Sequence, residues 1–330
     1  MRWTTSAGML GLGDLVGGTN SSIARGVSDD GAVIVGEGNI GGASRVFRWT
    51  QAGGMENLGK LAGGSALSRG WGISGDGNVI VGESGSTAAG IGSTEAFRWT
   101  QAGGIVGLGD LSGGGFQSKA FAASDDGSFI VGWGTSTSGV EAFRWTQAGG
   151  MVGLGDLTGG NFSSAANSVT PDGSVVVGVS HSSFAASGFQ AFRWTQAGGM
   201  VGLGDLPGGT FHSSASAVSS AGDIIVGTSE GLSGSEAFIW DSTNGIRKLQ
   251  TVLTSDYGFT IPVGWRLQVA TDISPNGRYI AGYGVNPDNF QEAWLVDLGP
   301  SLSVPEPAAL TLIVLGLPAI ILAARRKQRW

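Results

Sequence analysis

The chain has 330 residues, of which 62 are Gly and only 13% are charged. Its formal net charge is −7, and an acidic protein lacks the basic surface that nucleic-acid binding requires. The sequence contains no Cys, which excludes disulfides and thiolate metal sites. A hydrophobic content of 41% is enough for a buried core, so the Gly content does not indicate a disordered chain.

An eight-residue string, Phe-Arg-Trp-Thr-Gln-Ala-Gly-Gly, occurs four times, and shorter copies flank these four. The aligned tryptophans are 46 to 50 residues apart and are Trp3, Trp49, Trp99, Trp145, Trp194 and Trp240. A fixed period of this size indicates a repeat architecture. A residue that recurs in every copy is then expected to belong to the scaffold, whereas a site for chemistry is usually asymmetric.

Each repeat reads as four short strands. Residues 120–124 are apolar and end in Ser-Asp-Asp-Gly, residues 128–132 are rich in strand-forming side chains, residues 141–146 form a strong strand and residues 151–157 a weaker one. The Asp-Gly pair supplies the positive φ that a tight hairpin needs. Four strands in such a period predict a β-propeller blade.

Similar turns near residues 28, 74, 124, 170, 219 and 274 predict six blades. The sixth repeat ends after its third strand, and residues 9–15 carry a fourth-strand sequence. We therefore predict an all-β propeller over residues 1–298, with about six four-stranded blades closed by the N-terminal strand. Arg2-Trp3-Thr4 is then the tail of a third strand, so we also expect a seventh blade and a signal peptide to be missing upstream.

The Phe and Trp of the repeated string alternate along the third strand and therefore share a face, which predicts that they pack between blades, with sugar stacking as the alternative. The Arg between them occurs only in repeats that also have Asp in the first turn. We interpret this joint occurrence as an ion pair between the first hairpin and the third strand, either within a blade or between neighbouring blades. The residues predicted to pair are Asp30 and Arg48, Asp76 and Arg98, Asp126 and Arg144, and Asp172 and Arg193.

The residues indicate no catalytic, cofactor or metal site. His181 and His212 lie in separate Ser-rich stretches, and nothing marks a nucleophile beside them. Single Asp residues recur without the spacing of a Ca²⁺ loop. Four glutamates occupy equivalent repeat positions, which favours structural roles, whereas three others are less regular. The first group is Glu95, Glu141, Glu236 and Glu292, and the second is Glu37, Glu83 and Glu230.

The C-terminal segment changes in composition. Residues 299–304 read as a linker before Pro305-Glu306-Pro307, and residues 308–324 are uncharged and rich in Leu, Ile and Ala. A basic tail closes the chain with Arg325, Arg326, Lys327 and Arg329. The apolar run is at the lower limit for crossing a bilayer, so we predict one transmembrane helix over residues 308–324, with the basic tail as its cytoplasmic stop.

The order and spacing of these parts over residues 304–329 resemble the PEP-CTERM sorting signal of Gram-negative bacteria. The resemblance implies export by the general secretory route and recognition by an exosortase, a membrane protease that is thought to cut near Pro-Glu-Pro. It also implies transient anchoring in the inner membrane and then a place at the cell surface or outside the cell. Members of that family are associated with exopolysaccharide and biofilm production.

The repeats resemble the HAF family of extracellular repeats, named for a His-Ala-Phe triplet before the Arg-Trp pair. Here the triplet reads Glu95-Ala96-Phe97, and the string Gly-Leu-Gly-Asp-Leu that begins at Gly107 also matches. The His is replaced in every copy. The resemblance covers most of residues 1–298 and implies an extracellular repeat domain without an established activity.

We therefore expect an exported, non-catalytic repeat protein with a binding or structural role and without a cofactor. Exopolysaccharide is the preferred partner class, beside the sorting protease. The alternatives are an enzyme acting on extracellular glycans and a platform for protein interactions. The loops between second and third strands vary most and are expected to form one rim of the propeller, where we look for recognition. These loops are residues 38–44, 84–94, 134–140, 180–189 and 229–235.

Overall fold

The computed structural model describes residues 1–4, 6, 8–184 and 188–299, and of Trp3 only the backbone. Its elements in chain order are β1 (Arg2–Thr4), β2 (Gly8–Leu10), β3 (Gly18–Val27), β4 (Val33–Ile40), β5 (Ala43–Thr50), β6 (Gly54–Asn57), β7 (Ser68–Ile73), β8 (Val79–Ser84), β9 (Glu95–Thr100), β10 (Gly104–Gly109), β11 (Gly113–Ala123), β12 (Phe129–Ser136), β13 (Gly139–Thr146), β14 (Gly150–Gly153), β15 (Ser164–Val169), β16 (Val175–His181), β17 (Phe189–Thr195), β18 (Gly199–Gly204), β19 (Gly208–Val218), β20 (Ile224–Gly231), β21 (Gly234–Asp241), β22 (Gly245–Lys248), α1 (Leu249–Ser255), β23 (Arg266–Ile273), β24 (Tyr279–Val285) and β25 (Gln291–Asp297).

Consecutive strands pair antiparallel into one sheet per repeat, and each sheet is a blade. Blades one to five are β3–β6, β7–β10, β11–β14, β15–β18 and β19–β22, and blade six is β23–β25. The first strands of neighbouring blades contact one another, so these strands line the centre, and we refer to their surface as the inner wall. The prediction of an all-β propeller with six blades is confirmed.

The predicted closure of the ring by the N-terminal strand is wrong. Strand β2 pairs with β1, with Met9 opposite Trp3, and the described part of blade six has three strands. The physical reason is chain entropy. A hairpin between β1 and β2 closes a short loop, whereas pairing β2 with β25 would close a loop that spans most of the chain.

The predicted transmembrane helix is also corrected. The α-helix α1 has seven residues, and none of the helices in the described ranges is long and apolar enough to cross a membrane. The segment predicted to cross, residues 308–324, lies outside the described residues, as do Pro305-Glu306-Pro307 and the basic tail.

The aromatic residues of the third strands pack between blades, as predicted. Five phenylalanines with 0% exposure occupy this position, namely Phe47, Phe97, Phe143, Phe192 and Phe238. Phe97 and Trp99 of blade two pack in one cluster with Val33 and Val35 of blade one. Burying a side chain of this size stabilises the fold by roughly 1.5–3 kcal/mol, so these layers supply much of the contact between blades.

A serine near the start of four first strands ties each blade to the preceding one. The Ser118 hydroxyl accepts a hydrogen bond from the Ala96 N–H at 3.0 Å and donates one to the Gly109 carbonyl oxygen at 2.6 Å. We refer to this pair of bonds as the serine latch. The same two bonds are made by Ser68, Ser164 and Ser213. All four serines are at most 1% exposed, so the latch satisfies buried backbone groups.

The Asp of each predicted turn closes the first hairpin of its blade. The Asp172 carboxylate accepts hydrogen bonds from the Ser174 N–H at 3.0 Å and the Thr170 hydroxyl at 2.7 Å, and Gly173 follows with φ +68°. Hydrogen bonds from Ser174 and Thr170 lower the pKa of Asp172 to about 2. The carboxylate is therefore satisfied within its own turn.

We expect the Asp172 carboxyl group to titrate near pH 2 in the folded protein, against about 3.9 in the unfolded chain. Because the folded pKa is the lower one, these bonds stabilise the fold above about pH 4, and the contribution is lost as the pH falls towards 2. Carboxyl ¹³C NMR measures this pKa directly. Thr170→Val should raise it, because one donor is lost, and an unchanged pKa would contradict the assignment.

Candidate functional site on the inner wall

Every first strand contains a bulge of one residue at the same place in its blade. In blade two the pairing shifts between Gly70 and Gly72, which leaves Trp71 as the extra residue. A Cβ added to Gly82 on the facing strand would lie within 3.0 Å of the Arg69 carbonyl oxygen, so only Gly allows this close approach. A bulge re-aims a side chain. The six bulged residues are Arg25, Trp71, Phe121, Asn167, Ser216 and Thr271.

The bulged residues make the inner wall asymmetric. In blades one to three the bulged side chains are large, and each of the first two contacts the one in the next blade. The Arg25 guanidinium lies 4.0 Å from the centre of the Trp71 ring, and Trp71 meets Phe121 edge to face at 5.7 Å. In blades four to six they are small and polar, and the Asn167 amide donates a hydrogen bond to the Ala215 carbonyl oxygen at 2.8 Å. Only one half of the wall therefore presents aromatic rings at these positions.

A chain of ion pairs runs along the same half. The Glu37 carboxylate forms ion pairs with the guanidinium of Arg25, with an N–O distance of 2.5 Å, and with that of Arg69 of the next blade, at 2.8 Å. Glu83 continues it, bonding to Arg69 at 3.3 Å and to Lys119 of blade three at 3.1 Å. The Lys119 ammonium also lies 5.6 Å from the centre of the Trp133 ring. Three cations and two carboxylates thus link three blades, and we refer to these five residues as the charged belt.

Pairing outweighs burial at two residues of the charged belt, Glu37 and Arg69. The Glu83 side chain is 1% exposed, and it also accepts a hydrogen bond from the Thr94 hydroxyl at 2.9 Å. Burial acts to raise the pKa of Glu37, but hydrogen bonds, the largest from Arg25, hold this pKa below its ordinary value. Burial acts to lower the pKa of Arg69, but its carboxylate partners raise it overall. The belt therefore carries one excess positive charge on an acidic protein.

One polar atom of this wall is unsatisfied. The indole Nε1 of Trp71 is buried and has no hydrogen-bond partner. Such a group is uncommon and calls for an explanation, such as an acceptor brought by water or a ligand. Trp71 lies beside Arg25 and Phe121, so the unsatisfied N–H donor is in the half of the inner wall that carries the aromatic rings.

The described residues of the variable loops lie at the end of the wall where the Thr94 hydroxyl reaches Glu83. They contact the connections between blades, since the Thr87 N–H donates to the Ala62 carbonyl oxygen at 2.9 Å.

On this rim the structure places two histidines that are distant in sequence against the same phenylalanine. The Phe189 ring lies 4.1 Å from the His181 ring and 6.2 Å from the His212 ring. The sequence did not indicate that His181 and His212 would both contact Phe189.

The opposite end of the wall is acidic. Asp29, Asp76, Asp125 and Asp126 line a cavity of about 340 Å³ around Gly75. Partial burial and repulsion from the neighbouring carboxylates raise the pKa of Asp125. Within the described ranges, no three or more His, Asp or Glu side chains are arranged to hold a metal ion.

The predicted Asp–Arg pairs do not form. Every ion pair found among the described residues joins other partners. The Arg144 guanidinium lies 4.1 Å from the centre of the Phe129 ring, burial lowers its pKa, and its Nε has no hydrogen-bond partner. Asp126 instead accepts hydrogen bonds within its own turn. The correction holds both within a blade and between neighbouring blades, and it covers Asp30, Asp76, Asp126 and Asp172 with Arg48, Arg98, Arg144 and Arg193.

Two of the recurring glutamates have structural roles. The Glu95 carboxylate accepts a hydrogen bond from the Gly109 N–H at 3.1 Å, and Glu141 does the same for Gly155 at 3.0 Å. The less regular Glu37 and Glu83 are the acids of the charged belt. That these two glutamates do not recur in every repeat was therefore the sequence signal for this site. The sequence did not show which cations they would contact.

The fold and the wall together define a β-propeller of repeats whose inner wall differs between its two halves. No protein-family model matches the sequence, and neither does any curated protein. Among solved structures, an oligogalacturonate lyase in complex with manganese has a TM-score of 0.54 at 13% identity, over 83% of this chain and 73% of that chain. A prolyl endopeptidase has a TM-score of 0.51 at 8% identity, over 84% and 41%.

TolB from Acinetobacter baumannii has a TM-score of 0.49 at 14% identity, over 69% of this chain. The match spans about half the length of that protein, 53%. At these identities the similarity to the lyase and the endopeptidase shows the β-propeller fold alone, and the names of these proteins do not define an activity for this chain.

Proposed function

We propose that this chain is an exported, non-catalytic protein of the cell surface or extracellular matrix that binds polysaccharide at the inner wall of blades one to three. The observation that carries the proposal is the asymmetry of that wall. Trp71, Phe121 and Trp133 lie beside the three cations of the charged belt. The bulged positions of blades four to six hold the small polar Asn167, Ser216 and Thr271, and blade six has Tyr283 at the position of Trp133 with the uncharged Val269 opposite it.

The chemistry of the wall fits a sugar polymer. The C–H face of a sugar ring packs on an aromatic ring, and sugar hydroxyls and carboxylates accept hydrogen bonds from Arg and Lys. Lys119 has more N–H donors than the belt uses, and Trp71 has an unpartnered N–H. Because cations outnumber carboxylates in the belt, an acidic polysaccharide suits it better than a neutral one.

The proposed location rests on the sequence resemblances. The PEP-CTERM-like tail and the HAF-like repeats support export by the general secretory route and processing by an exosortase-type protease. A role in an exopolysaccharide or biofilm setting follows from the same resemblances. Secretion of a tagged chain from a host with its exosortase gene deleted, compared with the parent host, tests this part separately.

We expect purified protein to bind an acidic exopolysaccharide on a glycan array, and Trp71→Ala to weaken that binding roughly 10- to 30-fold, as loss of a central aromatic contact does. Lys119→Gln should weaken it as well. Tyr257→Ala is the control, because this Tyr is 46% exposed and follows α1, outside both the inner wall and the variable loops. Full binding by both wall variants, or the release of new reducing ends, would contradict the proposal.

A further inference from the structure

Arg98 is a cation without a partner at the interface between blades two and three. It lies on β9, on the same side of the strand as Ala96, which packs against blade three. Its Nε is buried and has no hydrogen-bond partner, and none of the ion pairs among the described residues includes Arg98. A buried donor of this kind calls for an acceptor that water or a ligand supplies.

The equivalent Arg144 of blade three stacks on aromatic rings. Its guanidinium lies 4.1 Å from the centre of the Phe129 ring and 5.9 Å from that of the Trp194 ring of blade four. Blade two has Val79 at the position of Phe129, at the start of its second strand. The smaller side chain leaves Arg98 without the ring that Arg144 has in its own blade.

A cavity of about 380 Å³ lies beside Arg98, and its other walls come from the first hairpin and the third strand of blade three. Asp126, Ser128 and Gln147 line it with polar groups, and Trp145 adds an apolar wall. The volume falls within the range of small-molecule sites, which is about 300–1,000 Å³. The unpaired cation therefore faces a space that is large enough for a ligand.

The equivalent cations at the neighbouring interfaces have other surroundings. Between blades one and two, Glu56 lies opposite Arg48 on the adjacent strand, so a carboxylate is already near that cation. Between blades four and five, the Arg193 Nε donates to the Gly222 carbonyl oxygen at 3.4 Å, and Ala221 replaces the turn Asp. Among the described residues, the cation of blade two is therefore the one that is neither stacked, bonded nor opposite a carboxylate on its own blade.

We propose that the cavity beside Arg98 binds a sugar acid, a sugar ring that carries one carboxylate and several hydroxyl groups. The carboxylate pairs with the Arg98 guanidinium, whose planar N–H donors suit two parallel hydrogen bonds. A ligand hydroxyl donates to the Asp126 carboxylate, which accepts bonds from the Ser124 hydroxyl and the Ser128 N–H and has acceptor positions left. A neutral sugar leaves the cation unpaired, and a simple carboxylate brings no donor for Asp126. The cavity is separate from the inner wall, and its ligand does not depend on what binds there.

Isothermal titration calorimetry with glucuronate, glucose and acetate tests the ligand class. We expect glucuronate to bind at least about 10-fold more tightly than glucose or acetate, and Arg98→Gln to weaken its binding about 10- to 100-fold, because the charged hydrogen bonds are lost. Arg193→Gln is the matched control, since it removes the same charge at the same repeat position, and it should change the Kd by less than about twofold. Trp71→Ala should also leave the Kd unchanged, which separates this cavity from the inner wall.

Val79→Phe gives an independent measurement that keeps the charge. The new ring should stack on Arg98 as Phe129 stacks on Arg144, and blade three accepts Phe at this position, so we expect a loss of at least about 5-fold in a folded protein. An oligoglucuronate distinguishes the sources: tighter binding that Arg98→Gln removes identifies a polymer, and weaker binding than glucuronate identifies a free sugar acid. Absence of glucuronate binding, equal binding by the original chain and both cavity variants, or equal affinity for acetate would overturn the proposal.

Discussion

Ser118→Ala should lower the free energy of unfolding by about 2–4 kcal/mol. The hydroxyl is fully buried between blades two and three, where it joins the Ala96 N–H to the Gly109 carbonyl oxygen. Its removal leaves one buried donor and one buried acceptor without partners, and each such group costs about 1–3 kcal/mol. Chemical denaturation with a constant m-value measures the loss.

Ser22→Ala is the matched control, because it changes the same repeat position in blade one. Ser22 is exposed and makes only the donor bond, so we expect a loss of about 0.5 kcal/mol or less. Equal losses in the two variants would show that the latch does not stabilise blade interfaces. The comparison isolates the latch from the chemistry of the substitution, since both variants remove the same hydroxyl.

The repeat period and the strand pattern were enough to predict the blades. Phe97 and Trp99 alternate in the sequence, and a strand must place such residues on one face, so their packing between blades follows from local geometry. The closure of the propeller ring could not be predicted from local geometry. Residues 9–15 carry a fourth-strand sequence, but the strand that pairs with them depends on the competition between a short and a very long loop.

The predicted Asp–Arg pairs failed for a related reason. Asp126 and Arg144 occur together because the blades that carry them are similar as a whole, and that similarity does not require contact. Local hydrogen bonds satisfy the carboxylate at almost no entropic cost, so it gains little from a distant cation. The Arg lies against the Phe129 ring instead.

The inner wall could be predicted only in part. Glu37 and Glu83 depart from the repeat pattern, and this departure marks them as unusual. A bulge, however, is a property of strand pairing, and an extra residue such as Trp71 is not visible in the alternation of its own strand. Without the bulges, the contact of Arg25 with Trp71 and the continuity of the charged belt across three blades could not be derived.

Glu83→Ala should lower the free energy of unfolding by about 3 kcal/mol, because it removes the buried acid that pairs with two cations. Both cations are about one-quarter to one-third exposed, at 34% for Arg69 and 24% for Lys119, so water compensates part of the lost pairing. Glu56→Ala is the control, since this Glu is exposed at the outer edge of blade one and should change stability by about 0.5 kcal/mol or less.

A double variant separates the charge from the loss of packing. If the cost of Glu83→Ala comes mainly from uncompensated cations, then adding Lys119→Met should cost less in the Glu83→Ala background than in the original chain, and the coupling energy should be about 1 kcal/mol or more. Strictly additive losses would mean that the carboxylate matters through its volume alone. The same pair bears on binding, because Glu83 holds Lys119 beside the Trp133 ring. Glu83→Ala should therefore weaken polysaccharide binding even under conditions where the variant is fully folded.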